Sequence, residues 1–307
     1  MSLPANCHLC GADQSHQQVK TSHVYKGGQE YAFFCCAICD VIYKFPEWSQ
    51  EEMNRFYTNE FENFMSERAG ISEGWEDPEH HIIANQHQVK RRMKYLSPYL
   101  PAKNGRVLEI GCSSGFMLFP LAEAGYFCNG IDPSNESRKF VHSKGIDCFS
   151  SLDELEKSME GEKGFDLIMH FFVLDYLTNP LEFLKDQIKL LNPNGKIVFE
   201  IPCVEDALIT VYDIPAYERF VWSVEHSFCY TKSSLTFLLS KVGLNFEVLR
   251  EQRYDLSNHM IWARDGKPGG LGAFTDFLGQ DIEDQYRKAL IDAGKSDALL
   301  GIIKNNS

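Results

Sequence analysis

The sequence predicts an α/β protein on a mainly parallel sheet, preceded by a small cysteine-rich module. Three observations carry that prediction. From residue 106 onward, short apolar strands alternate with helical segments, the pattern of strand–helix–strand units. A glycine-rich turn follows the first of these strands, at Gly111-Cys-Ser-Ser-Gly115. Five of the ten cysteines lie within the first 39 residues. The chain has 307 residues, 44% of them apolar, enough for roughly two domains at about 150 residues each. Lys plus Arg number 30 against 43 Asp plus Glu, a formal charge of −13. That balance disfavours broad binding to nucleic acid, which needs a basic face. No apolar run approaches the ~18–20 residues of a membrane helix. No basic-then-apolar leader opens the sequence, so a cytoplasmic location without membrane partners is expected.

The first cysteines read as Cys7-x-x-Cys10, a long gap, then Cys36-x-x-Cys39. Two such knuckles suit a tetrahedral, structural Zn²⁺ with Zn–S bonds of about 2.3 Å. Between them, Gly27-Gly28 can turn a hairpin that brings the knuckles together. Cys35 rivals Cys36 for ligand duty and is read as the spare. A module over 1–45 of this kind is zinc-ribbon-like, and metal would supply much of its folding energy. Residues 46–78 read as a connector with a helical turn near 49–57. Residues 79–100 read as a helix ending before Pro101, its Lys90, Arg91, Arg92 and Lys94 forming a solvated face.

The main domain is expected over 79–264. Strands are predicted at 106–110, 126–131, 146–149, 165–170, 195–201, 244–250 and 259–263. Helices are predicted at 115–124, 134–144, 152–159, 180–191 and 231–242. Thr231 is a suitable cap for the last of these, and Gly243 follows its end. A C-terminal helical extension is expected over 265–307, with a helix at 274–293 that could form a homodimer or cover the active site.

Glycine after a strand lets the chain turn tightly and lets a ligand approach the backbone. The helix behind it offers free N–H groups. Glu109 precedes the turn, and Asp132 closes the second strand in Gly130-Ile-Asp132-Pro133-Ser134. A carboxylate there accepts hydrogen bonds from both hydroxyls of a ribose. The spacing is not the G-x-G-x-x-G of a dinucleotide site, nor is there a P-loop lysine.

This constellation resembles the class I S-adenosylmethionine (SAM)-dependent methyltransferases, through VLEIGCSSG, GIDPS, FDLIMHFFVLDYLTNP and LNPNGKIVFEIP. The resemblance implies a Rossmann-like sheet of seven strands, the seventh antiparallel. It implies that Glu109, Gly111, Cys112, Ser113 and Gly115 surround the aminoacyl part of SAM. Asp132, with Pro133 beside it, would hold the ribose. Phe149 would lie near the adenine, and His170 and Phe171 beside the sulfonium. A narrower resemblance is to sugar C-methyltransferases, which place a zinc module before this domain. CCAICDVIYKFP looks like the end of that module, and Glu225-His226 before Tyr230-Thr231 looks like the family's Glu-His element. There the histidine is the favoured base, so His226 is the candidate base and Glu225 its candidate orienter. Ser223 stands where that family places an assisting tyrosine, and the chain stops at Ser307 without the family's large C-terminal domain. Both features leave O-methylation open beside C-methylation.

The expected function is therefore SAM-dependent methyl transfer to a small-molecule acceptor, a carbohydrate or nucleotide-sugar. The competing readings are an RNA methyltransferase with a zinc module and a non-catalytic binding protein. Residues 1–45 contain no Arg, which speaks against the first competitor. The intact Glu109, Gly111, Gly115 and Asp132 speak against the second.

Overall fold

A computed structural model describes residues 3–69, 77–159 and 164–306. After the first knuckle, β1 (Gln17–Thr21) pairs antiparallel with β2 (Ala32–Cys36), and β2 with β3 (Ile42–Phe45). The second knuckle makes the β2–β3 turn, with Asp40 in the left-handed region (φ 58°) and its N–H on the Cys36 carbonyl at 2.9 Å. Successive side chains of a strand face opposite ways, so only one of Cys35 and Cys36 can face the first knuckle. Cys36 does. The fourth strand of this sheet, β9 (Phe228–Cys229), arrives from far along the chain and pairs Ile42 with Cys229 and Tyr43 with Phe228.

The connector starts on a capping box. Ser49 accepts from the Glu52 N–H, and Glu52 reaches back to the Ser49 N–H. Helix Gln50–Arg55 follows and runs through a wider turn into helix Phe61–Ala69. The rest of the expected connector, 70–76, lies outside the described residues.

The large sheet holds β4 (Arg106–Ile110), β5 (Phe127–Ile131), β6 (Asp147–Phe149), β7 (Phe165–Phe171), β8 (Leu191–Pro202), β10 (Asn245–Glu251) and β11 (Ala298–Lys304). Their spatial order is β10-β11-β8-β7-β4-β5-β6. All are parallel except β11, which is antiparallel to both neighbours. The Rossmann-like α/β sheet with its antiparallel seventh strand is thus present. Helices Pro180–Lys189 and Lys232–Leu239 bury Leu184, Leu235 and Leu238 against one face. Helices Gln86–Leu96 and Leu118–Glu123 bury Leu96, Leu118 and Leu121 against the other.

Four expectations need correction. The strand expected at 259–263 lies inside helix Leu256–Asp265, which Asp255 caps through the Asn258 N–H and Gly266 ends at φ 62°. A short apolar run does not separate a buried strand from a buried helix. The antiparallel strand is instead β11, in the segment expected to be a helical extension. The helix expected at 274–293 breaks at Gly279 into Thr275–Leu278 and Gln280–Asp292. Nor are Arg91 and Arg92 part of a solvated face. Arg91 pairs at 2.7 Å, and Arg92 at 3.4 Å, with the fully buried Glu200 of β8, while Lys90 and Lys94 remain exposed.

Candidate active site

The loop after β4 is built for close approach. Gly111 has φ 73°, and a Cβ there would lie 2.7 Å from Val173 Cγ2. Ser113 also takes a positive φ (48°), and its N–H donates to Asp132 Oδ2 at 2.7 Å. The Ser134 N–H donates to Asp132 Oδ1 at 2.9 Å. Asp132 is thereby fixed at the mouth of the loop, its N–H on the Phe149 carbonyl at 3.0 Å. Burial pushes its carboxyl up to about 6, against the lowering effect of the two N–H groups. Pro133 turns the chain there, and its carbonyl accepts from Arg138 at 2.7 Å. Gly115 (φ 75°) starts the turn into helix Leu118–Glu123. Cys112 Sγ lies 3.5 Å from Cys148 Sγ.

Glu109 is fully buried at the end of β4. Burial drives its carboxyl well above the usual range, and its Oε2 has no hydrogen-bond partner among the described residues. An orphaned carboxylate oxygen beside a positive-φ loop suits a ligand that brings a donor. Phe171 lies under the Arg92 guanidinium, 4.0 Å from its ring centroid. His170 does not join this group. Its ring stacks on Phe199 at 4.7 Å, fully buried on the face covered by helix Pro180–Lys189. Strand alternation turns neighbours to opposite faces, so His170 and Phe171 could not both reach the loop.

A second group lies around residues 222–231. His226 Nδ1 meets Asp175 Oδ2 at 3.0 Å, and its Nε2 lies 3.6 Å from Glu225 Oε1. Glu225 was expected to orient the imidazole. Its carboxylate instead takes Arg68 and the Ser223 hydroxyl as partners. Burial pushes the Glu225 carboxyl up, but Arg68, His226 and Ser223 overcome this and hold it below the usual range. Tyr57 donates to the Glu225 carbonyl at 3.1 Å. The Tyr176 ring lies 5.4 Å from His226, 5.6 Å from Tyr57 and 5.8 Å from Phe61.

The connector joins the two groups. Helix Phe61–Ala69 carries Arg68 to Glu225, and it carries Glu62, which accepts from the Ser134 hydroxyl at 3.0 Å beside Asp132. His81 contributes from a third element, its Nδ1 2.8 Å from the Ser114 hydroxyl. Burial lowers His81 to about 4, so it is neutral at pH 7. Sequence reasoning missed Asp175, Arg68, Tyr57 and His81. Only Asp175 carried a local signal, its place in FFVLDYLTNP.

The Sγ atoms of Cys7, Cys10, Cys36 and Cys39 all lie within 4.8 Å of one another. Cys7–Cys39 and Cys10–Cys36 are each 3.6 Å apart. Four thiolates at about 2.3 Å from a tetrahedral Zn²⁺ stand about 3.8 Å apart, so the donor set and its spacing fit that ion.

Residues 80–249 match the family described as "Methyltransferase domain". The chain belongs to this family. A solved SAM-dependent methyltransferase from Archaeoglobus fulgidus is similar in fold, with TM-score 0.51, 18% identity, and coverage of 79% of this chain and 98% of that one. A ubiquinone biosynthesis O-methyltransferase of Coxiella burnetii (strain RSA 493 / Nine Mile phase I) is 24% identical over 112 residues, 35% of this chain and 48% of the relative. Its counterpart from Pelagibacter ubique is 28% identical over 160 residues, 47% of this chain and 64% of the relative. The match thus spans less than two thirds of these relatives. Among the described residues, no helix is long and apolar enough to cross a membrane.

Proposed function

We propose that this methyltransferase alkylates a small acceptor whose proton is taken by His226, and that the acceptor is a carbohydrate or nucleotide-sugar. SAM, when bound, supplies an activated methyl group on a sulfonium. In this reading Glu109, Gly111, Cys112, Ser113 and Gly115 bind its aminoacyl part. Asp132 takes the ribose hydroxyls, with Pro133 shaping the turn, and Phe149 borders the adenine. Phe171, rather than His170, lies beside the sulfonium.

Nε2 of His226 receives the acceptor's proton. Asp175 keeps the Nδ1 proton in place and stabilises the imidazolium that forms. Tyr57, Phe61 and Tyr176 exclude water from the acceptor, and the Arg68–Glu225 pair closes the far side. An acceptor hydroxyl, or a carbon next to a carbonyl, would give its proton to His226, and bound SAM would supply the methyl group that replaces it.

One observation carries the reading: helix Phe61–Ala69 touches Ser134 beside Asp132 through Glu62 and Glu225 beside His226 through Arg68. One helix thus spans the base and the cofactor loop, which supports placing them in one site. The carbohydrate acceptor is supported by the Glu225-His226 element and the paired cysteine knuckles of the sugar C-methyltransferases. Methylation of a hydroxyl is favoured separately by the curated relatives, which are named O-methyltransferases. His226→Gln is expected to lower turnover about 10²–10⁴-fold with S-adenosylhomocysteine affinity unchanged. Undiminished turnover removes the base assignment. A thermal-shift panel of nucleotide-sugars and phenols then tests the acceptor class, and a response to phenols alone removes the carbohydrate.

A further inference from the structure

The cysteine module and the His226 loop are not neighbours by accident of packing, because backbone bonds tie them along the loop's whole length. At its start, the Tyr25 N–H donates to the Trp222 carbonyl at 2.7 Å, and the Val224 N–H donates to the Tyr25 carbonyl at 3.1 Å. In the middle, Lys44 is fully buried, its ammonium donates to the Val224 carbonyl, and it lies 3.7 Å over the Trp48 ring. Its own N–H donates to the Ser227 carbonyl at 3.0 Å. At the end, β3 pairs with β9, and the Thr231 hydroxyl donates to the Asp40 carboxylate at 2.8 Å, one residue beyond Cys39. Beneath these bonds Trp222, Val224 and Cys229 share an apolar cluster with Val24, Phe33 and Ile42. The opposite side of the loop rests on Asp175, whose carbonyl accepts from the N–H groups of Ser227 and Phe228. The cofactor loop after β4 shows no such bond to the module among the described residues.

We infer that the module is a clamp for the loop bearing Glu225 and His226, with Tyr25, Asp40 and Lys44 as positioning residues. Metal held by Cys7, Cys10, Cys36 and Cys39 then sets the geometry of the base without touching the SAM loop. A module of about 40 residues has little core of its own, so removing its metal loosens β2, β3 and the second knuckle. The bonds from Tyr25, Asp40 and Lys44 loosen with them. The activity arm of this inference rests on the base assignment above; the structural arm does not.

The test is hydrogen exchange on the full chain as purified, after zinc is stripped with a chelator, and after Zn²⁺ is restored. Peptides covering 222–231 are expected to lose protection about tenfold or more on stripping and to regain it with Zn²⁺. Peptides covering 106–115 and 130–134 lose clearly less protection than 222–231 does, and S-adenosylhomocysteine affinity changes less than threefold. Native protection at 222–231 in a stripped chain whose residues 7–45 exchange freely overturns the inference. Should stripping unfold the whole chain, Lys44→Met decides in the metal-loaded protein. Faster exchange at 222–231 and a lower kcat at unchanged cofactor affinity support the clamp, and unchanged exchange there overturns it. Loosened 222–231 with undiminished turnover upholds the clamp and counts against His226 as the base, so the two failures are distinguishable.

Discussion

Asp132 has the environment from which a pH dependence follows most directly. Burial raises its carboxyl to about 6, so near pH 5 the folded, ligand-free chain keeps a proton that an unfolded Asp has lost. Its contribution to stability therefore declines as pH rises from about 4 through 6. Ribose hydroxyls bind the charged form, so cofactor affinity moves the other way. S-adenosylhomocysteine binding by calorimetry is expected to tighten between pH 5 and 7, and that slope should vanish in Asp132→Asn. At pH 7.5, Asp132→Ala should weaken binding about 10–100-fold, the worth of hydrogen bonds to a charged group; equal affinity would end the ribose assignment. Asp175→Asn tests the other pair. It removes the charge-assisted partner of His226 Nδ1, so turnover is expected to fall at least about tenfold with cofactor affinity intact. Glu109 and Asp132 stood out as candidates because they flank a glycine turn and close a strand, and His226 because Glu225-His226 resembles a family element. Arg68, Tyr57 and His81 did not. Their helices carry start signals, at Ser49 and at Asp77-Pro78, but only the docking of those helices brings these side chains inward.

Among the elements, β11 carries the clearest consequence. It lies between β8 and β10 with seven residues paired on each side, and Gly301 sits opposite Phe199. A Cβ at Gly301 would lie 2.1 Å from Phe199 Cζ. That ring is also the one stacked on His170, so it has little room to yield. Gly301→Val is expected to cost about 1–3 kcal/mol through overpacking, lowering the melting temperature by several degrees; an unchanged melting curve would mean the sheet relaxes freely there. The alternation of strand and helix from Arg106 to Glu251 was readable, most plainly at β4 and β5, which end at the Gly111 turn and the Asp132-Pro133 turn. The last strand was misplaced for a physical reason. The run His259-Met-Ile-Trp-Ala263 is as apolar as a buried strand, and only the Asp255 cap and Gly266 mark it as helix. The sequence Ala298-Leu-Leu-Gly-Ile-Ile-Lys304 is the better strand, but its central glycine and late position hid it. Arg91 and Arg92 were misread for a related reason: a basic helical run looks solvated until Glu200 of β8 is seen beneath it.

At the scale of the whole molecule the two sheets share one interior. Cys7, Phe34, Cys36 and Cys39 of the module belong to the same apolar cluster as Leu108, Ile168 and Phe199 of the large sheet, and β9 is a strand of the small sheet supplied by the large domain. A unit that borrows a strand and a core from its neighbour has no separate transition of its own. The chain is therefore expected to melt in a single cooperative step in calorimetry. Removing metal should shift that step down as a whole rather than split off an early one. Cofactor product acts on the same step by mass action. At 100 times its dissociation constant, S-adenosylhomocysteine stabilises by about 2.7 kcal/mol, worth about 5–10 °C at 2–4 °C per kcal/mol. Each further tenfold in concentration adds about 1.4 kcal/mol. Two resolved transitions, only one of them moved by S-adenosylhomocysteine, would show that the shared cluster and β9 do not couple the halves. The loop bearing His226 would then have to be held by Asp175 alone.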